Sequence, residues 1–314
     1  MSRLGRGLSR RGSSTRPVRS PYRFPFPAAR PGPTRAFSGD RIERVMEAAA
    51  ASALAREIVA LHEAPREVPP FSERHPGLTP EAGYAAARRV HAHRIAQGWS
   101  ARGRKIGFTN RNLWARYGVH EPVWGTVYDR TLVFAAEDRA RVPLEGLVQP
   151  RIEPEICFGL RATPRGRSPE ALLEAISWVA HSIEIVQCHH PGWKVTIADC
   201  AADNGLHGRL VVGAQIPVEE INGLVETLPA VEVELAHDGR VVDRGVGANV
   251  LGSPLESLGY LVELLARQPE APPLARGEVV TTGVLTDAHP VAAGQRWSTS
   301  LRGLPLRGLT VEFS

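Results

Sequence analysis

The stretch that most constrains the fold is Gln149-Pro150-Arg151-Ile152-Glu153-Pro154-Glu155-Ile156-Cys157-Phe158, which sets two carboxylates two residues apart in an apolar run. Side chains alternate across an extended strand, so Glu153 and Glu155 share one face while Ile152, Ile156 and Phe158 share the other. Pro154 suits a strand edge or a bulge, because it has no N–H to give to a ladder. Two like charges at that spacing repel. A shared proton relieves the repulsion, and so does a cation, for which an all-oxygen pair suits Mg²⁺, Mn²⁺ or Ca²⁺ better than Zn²⁺. Taken alone, the stretch also fits a solvated strand edge.

A further acid strengthens the metal reading. In His181-Ser182-Ile183-Glu184-Ile185-Val186-Gln187-Cys188 a single glutamate sits between β-branched residues. Burying it is costly unless it is paired or coordinated, which makes Glu184 a candidate third oxygen ligand. Lysine usage points to the same region. The chain has 36 arginines and only two lysines, Lys105 and Lys194. Where arginine has replaced lysine almost everywhere, a retained lysine marks a need for a compact, titratable ammonium.

The net charge of +5 does not indicate a nucleic-acid protein. Nine of the 38 basic residues lie in residues 1–39, which hold no acid, leaving 29 against 33 acids and a net of −4 for the rest. This tail, rich in Arg, Ser, Pro and Gly, reads as a disordered extension, with a transit peptide as the second reading; Arg10-Arg11 is followed by no apolar segment. Cys157, Cys188 and Cys200 form no CxxC pair, which fits a reducing, cytoplasmic setting, with organelle import through the tail as the runner-up. Apolar runs are too short to span a bilayer, and no membrane or nucleic-acid partner is expected of the body.

Helical periodicity covers Arg41–His62, and a second helix is expected from Thr79 as cap and Pro80 at its first position to Gly98. Residues 40–100 thus form a helical layer, and 101–314 a β-rich domain. Arg104-Lys105-Ile106-Gly107-Phe108-Thr109 reads as a strand, and Tyr117-Gly118-Val119 through Trp124-Gly125-Thr126-Val127 as a long structured loop. Ser168-Pro169 and Ser253-Pro254 cap helices, the second reaching Leu265. Asp199 and Asp203 share a face if their segment is helical; capping and a glycine stop are the structural alternative. Asp238-Gly239 predicts a hairpin within Val231–Val246, and strands are expected near Val279–Val284, Trp297–Leu301 and Thr310–Phe313. Thr281, Thr282 and Thr286, around Gly283, form a hydroxyl-rich strand end able to hold a carboxylate.

In order along the chain, Lys105-Ile106-Gly107, Glu153-Pro154-Glu155, Ile183-Glu184-Ile185-Val186, Trp193-Lys194, Ala202-Asp203-Asn204 and Gly247-Ala248-Asn249-Val250-Leu251-Gly252 with Pro254-Leu255 match six family segments. Over most of residues 80–313 the chain resembles the fumarylacetoacetate hydrolase superfamily, in its 2-keto-4-pentenoate hydratase and 4-oxalocrotonate decarboxylase branch. The resemblance implies an α+β fold, a mixed β-roll or barrel with peripheral helices, in a homo-oligomer. It also implies Mg²⁺ or Mn²⁺ on Glu153, Glu155 and Glu184, and a small 2-keto or 2-hydroxy-dienoic acid as substrate, in aromatic-compound catabolism. The chain departs from the hydratases at Gln187-Cys188-His189-His190, where they usually have aspartate, serine and arginine, and at Gly205-Leu206-His207, where they usually have small residues.

The expected activity is a hydratase making 4-hydroxy-2-keto acids. A decarboxylase and an acylpyruvate-type hydrolase using His120-Glu121 are alternatives on the same scaffold; a binding protein without chemistry is the reading from another class. Lys105 is the expected acid/base or carboxylate-binding group, with Lys194, Asp199 and Asp203 as further catalytic candidates. His189 is as readily structural as catalytic. Gly107, Thr282 and Thr286 are the candidate substrate contacts.

Overall fold

The computed structural model describes residues 39–111, 114 and 121–314. The expectations for residues 1–38, Tyr117-Gly118-Val119 and His120 lie outside them. Residues Ile42–Ser314 form one compact unit. No helix among the described residues is long and apolar enough to cross a membrane.

The first helix, Gly39–Glu63, places Leu54, Ala55, Ile58 and Leu61 against Phe71, Ala86, Val90 and Ala202. This is the three-and-four spacing that periodicity predicts for one buried face. The next long helix spans Pro80–Ala96, with the Thr79 hydroxyl accepting the Ala82 N–H at 3.3 Å. It stops two residues short of Gly98, which adopts a left-handed φ of 81°. Helices Pro169–Ala175 and Pro254–Ala266 start at the expected serine caps.

The strands are β1 (Ala101–Gly107), β2 (Val123–Tyr128), β3 (Leu132–Phe134), β4 (Arg139–Val142), β5 (Arg151–Leu160), β6 (Ile176–Val186) and β7 (His207–Val212). After them come β8 (Ile216–Pro217), β9 (Glu232–His237), β10 (Arg240–Val246), β11 (Val279–Thr281), β12 (His289–Pro290), β13 (Arg296–Arg302) and β14 (Thr310–Phe313). The larger sheet runs β2-β1-β11-β5-β6-β7-β3, with β12 beside β5 and β8 beside β6; the smaller runs β10-β9-β13-β14-β4. Both mix parallel and antiparallel pairs.

Two local expectations are corrected. Trp124-Gly125-Thr126-Val127 belongs to strand β2, not to a loop, and pairs with β1 in register Lys105↔Gly125. Gly125 is required there because a Cβ would lie 2.0 Å from the Asn204 carbonyl oxygen. The strand expected over Val279–Val284 ends at Thr281, because Gly283 turns the chain with φ 103°. The Asp238-Gly239 hairpin forms as expected, with both residues left-handed.

Strands β1, β11, β5 and β6 lie side by side, so a flat sheet would put β1 and β6 roughly 14 Å apart at the usual strand spacing. Their side chains meet instead across the concave face of a curled sheet. Its floor is apolar: Val127, Cys157, Ala180, Leu210, Val212 and Val279 form one buried cluster.

Candidate metal centre

Above that floor, Glu153 and Glu184 are direct cross-strand partners in the β5–β6 ladder. Glu155 stands two residues further on the same face of β5, as strand alternation requires. Ligand oxygens of Glu153, Glu155 and Glu184 lie within 4.8 Å of one another. Glu155 and Glu184 have no solvent exposure.

Each buried carboxylate is held by one oxygen and leaves the other open. Oε2 of Glu155 accepts the Gly283 N–H at 2.8 Å and the Thr281 hydroxyl, while Oε1 has no hydrogen bond. Oε1 of Glu184 accepts the His207 Nδ1–H at 2.8 Å, while Oε2 has none and lies 3.4 Å from Lys105 Nζ. Buried acceptors without a hydrogen bond are rare and costly, so Glu155 Oε1, with no partner, and Glu184 Oε2, with only the Lys105 ammonium near it, suit a bound cation.

The electrostatics agree. Burial pushes Glu153 up to about 7, and burial with its acidic neighbours raises Glu155 well above the ordinary carboxylate range. Burial works against Glu184 too, but Lys105 and His207 hold it below its usual value. Burial likewise opposes the Lys105 charge, and the three glutamates more than offset it. One ammonium faces three carboxylates, a deficit that a divalent cation would balance. The all-oxygen donor set is that of a hard cation such as Mg²⁺ or Mn²⁺.

The cluster opens into a cavity of ≈ 100 Å³ lined by Lys105, Gly107, Arg151, Glu153, Trp193 and Leu206, among others. A Cβ at Gly107 would lie 2.9 Å from Lys105 Nζ, so glycine keeps room beside the ammonium. The Arg151 guanidinium lies over the Trp193 ring, 4.3 Å from its centroid, at the cavity wall.

Comparison with known proteins places this geometry. The chain is 32% identical to 2-hydroxyhexa-2,4-dienoate hydratase of Comamonas testosteroni over 243 residues, 76% of this chain and 89% of the relative. It belongs to the 2-keto-4-pentenoate hydratase and 4-oxalocrotonate decarboxylase branch of the fumarylacetoacetate hydrolase superfamily. A 4-oxalocrotonate decarboxylase of Pseudomonas sp. is 34% identical over 209 residues, 66% of this chain and 77% of that one. Among solved structures, the 4-oxalocrotonate decarboxylase of Pseudomonas putida G7, complexed with magnesium and adipate, superposes with a TM-score of 0.77 at 27% identity. That match covers 86% of this chain and 98% of the decarboxylase, and confirms the expected fold. No family model matches the sequence.

Several of the candidate residues lie away from the cavity. Lys194 is exposed, just after the turn Pro191–Trp193, because the left-handed Gly192 and Trp193 swing the chain outward. Asp199 completes a capping box with Thr196 and also accepts the backbone N–H of Ser72 at 2.7 Å and its hydroxyl at 2.8 Å. It is the structural cap that the alternative reading described. Thr282 gives its hydroxyl to the Ile156 carbonyl and Thr286 to that of Asp287, so neither lines the cavity. The hydroxyl-rich strand end does hold a carboxylate, through Thr281, but it is the protein's own Glu155.

Asp203 sits in a second buried cluster. It accepts His62 Nε2–H at 2.8 Å and His189 Nδ1–H at 2.7 Å, and Arg94 in turn donates to His62 Nδ1. The site residues that sequence reasoning missed are His207, Arg151 and the Gly283 N–H. His207 carried a signal, as a departure from the family pattern one strand away from Glu184; Arg151 and Gly283 carried none beyond their closeness to named residues.

Proposed function

We propose that the protein is a metal-dependent hydratase of 2-hydroxy-2,4-dienoates that produces 4-hydroxy-2-keto acids. The observation that carries this reading is the cluster of Glu153, Glu155 and Glu184 beside Lys105, with one oxygen each of Glu155 and Glu184 free of hydrogen bonds, in a chain whose relatives are hydratases and decarboxylases. A divalent cation bound by Glu153, Glu155 and Glu184 supplies Lewis acidity to the keto oxygen and carboxylate of a 2-keto acid.

The chain's own groups supply the rest. Lys105, the ammonium at the cavity wall, binds the substrate carboxylate or donates the proton that ketonises the dienol at its far carbon. Water then adds to the carbon–carbon double bond conjugated with the new ketone. Arg151, fixed on Trp193, offers further donors to the same anion. The apolar floor keeps bulk water from the acid cluster and strengthens every charge interaction there.

Decarboxylation is the second reading, favoured by the overall match to the Pseudomonas putida G7 decarboxylase. It uses the same head-group site and releases carbon dioxide before protonation. Free, buried cysteines support a cytoplasmic location. Exposed Val241, Val242 and Val246 on the edge strand β10 support assembly into a homo-oligomer.

The test is the ultraviolet absorbance of 2-hydroxypenta-2,4-dienoate incubated with the full chain and Mg²⁺, beside an EDTA-treated sample. Decay only with metal, giving a product heavier by one water, is expected, and Glu153→Ala abolishes it. Decay of 2-hydroxymuconate-type dicarboxylates alone, with carbon dioxide released, selects the decarboxylase.

A further inference from the structure

His207 packs directly against the candidate metal centre. The ring is buried at 4% exposure beside a Glu184 that is fully enclosed. Its Nδ1–H reaches Oε1 of Glu184 at 2.8 Å, and its Nε2 lies 2.9 Å from the Thr131 hydroxyl. Thr131 is itself fixed, accepting the Tyr128 N–H at 3.1 Å. The ring is thus held at both nitrogens and cannot rotate without losing a buried hydrogen bond.

The backbone that delivers it is strained. Asn204, Gly205 and Leu206 are all left-handed, with φ of 53°, 65° and 63°. For a bulky residue such as Leu206 that conformation is costly and persists only where the surroundings enforce it. The turn ends at His207, the first residue of β7.

We propose that His207 is a positioning residue that ties up one oxygen of Glu184, so that this carboxylate offers a cation a single oxygen and the site favours Mg²⁺ and Mn²⁺ over Ca²⁺. Gly283 and Thr281 do the same for Glu155. Ca²⁺ takes six to eight oxygens, often from bidentate carboxylates, whereas Mg²⁺ is content with single oxygens in an octahedron. With two carboxylates limited to one oxygen each, the protein supplies too few ligands for the larger ion. The inference rests on the three-glutamate reading of the site.

The experiment measures metal affinity on the full-length chain without substrate, following free Mn²⁺ by electron paramagnetic resonance and displacing it with Ca²⁺. The parent is expected to prefer Mn²⁺. His207→Ala is expected to weaken Mn²⁺ binding by about 10–100-fold, the usual range for losing such a support, and to narrow the Mn²⁺/Ca²⁺ ratio. His207→Asn, which keeps a donor near the Nδ1 position, should restore most of both. A folded His207→Ala protein with parental affinity and ratio overturns the proposal. If His207→Ala does not fold, Thr131→Val, which frees the ring, must narrow the ratio in the same direction; an unchanged ratio is equally fatal. A parent that binds no Mn²⁺ at all fails the metal-site reading itself, which is a different result.

Discussion

Among the described residues lie two largely buried clusters of three metal-compatible side chains, Glu153-Glu155-Glu184 and His62-His189-Asp203, and their carboxylates are treated in opposite ways. In the histidine cluster both Asp203 oxygens receive a ring N–H and Arg94 donates to the remaining nitrogen of His62, so that the Asp203 carboxylate is fully met although His189 Nε2 has no hydrogen bond. Burial opposes the Asp203 charge, yet the two histidines hold its carboxyl well below the ordinary range. In the glutamate cluster one oxygen each of Glu155 and Glu184 has no hydrogen bond, that of Glu184 lying near the Lys105 ammonium, and burial raises two of the three carboxyls. The carboxylate of the first cluster has a donor on each oxygen; the second cluster sets three carboxylates against the single ammonium of Lys105. Ligand-type residues in proximity therefore do not make a metal site, and unsatisfied oxygens are the better sign.

The largest expected effect comes from breaking the histidine cluster. Asp203→Asn leaves two buried rings facing an amide and should lower stability by roughly 3–5 kcal/mol, measured by urea denaturation. A loss under 1 kcal/mol would remove the contrast.

Acid should expose a weakness under the glutamate cluster. His181 is fully buried, donates Nδ1–H to the Glu155 carbonyl at 2.9 Å, and is pushed by burial down to about 4. Its folded value lies below the unfolded 6.5, so the unfolded chain binds the proton first. The contribution is complete above pH 6.5 and is lost as pH falls towards 4, about 3 kcal/mol over that window. Burial lowers His62 as well, adding a loss of the same sign. His181→Gln should flatten the acid limb of stability against pH; an unaltered slope would refute this assignment.

The smallest effect is the sharpest comparison. At a Mn²⁺ concentration 100 times its Kd, the parent should gain about 2.7 kcal/mol of stability from binding. Asp203→Asn should gain as much from its lower baseline. Glu155→Gln should gain nothing, because it removes one of the three carboxylates that would hold the ion. Thermal unfolding with and without Mn²⁺ measures all three, and equal gains in all would place the ion elsewhere.

Local rules were enough for much of this. Strand alternation put Glu153 and Glu155 on one face, and Thr79, Ser168 and Ser253 announced their helices because a cap is a contact within four residues. Lysine scarcity singled out Lys105, which lies in the site, but equally Lys194, which does not. Composition cannot tell the two apart, because only the turn at Gly192 and Trp193 decides which way Lys194 faces.

The order of six segments determined the family, and with it the fold and the three carboxylates. What the sequence could not contain was which donors meet which acids. Thr281 reaches Glu155 across 126 residues, His62 reaches Asp203 across 141, and His207 meets Glu184 from the next strand. Those pairings depend on register and on the curl of the sheet, which arise from the packing of the whole chain. The tertiary structure therefore decided which acids are satisfied and which are left for a cation, since a hydrogen bond is set by distance in space and not by distance along the chain.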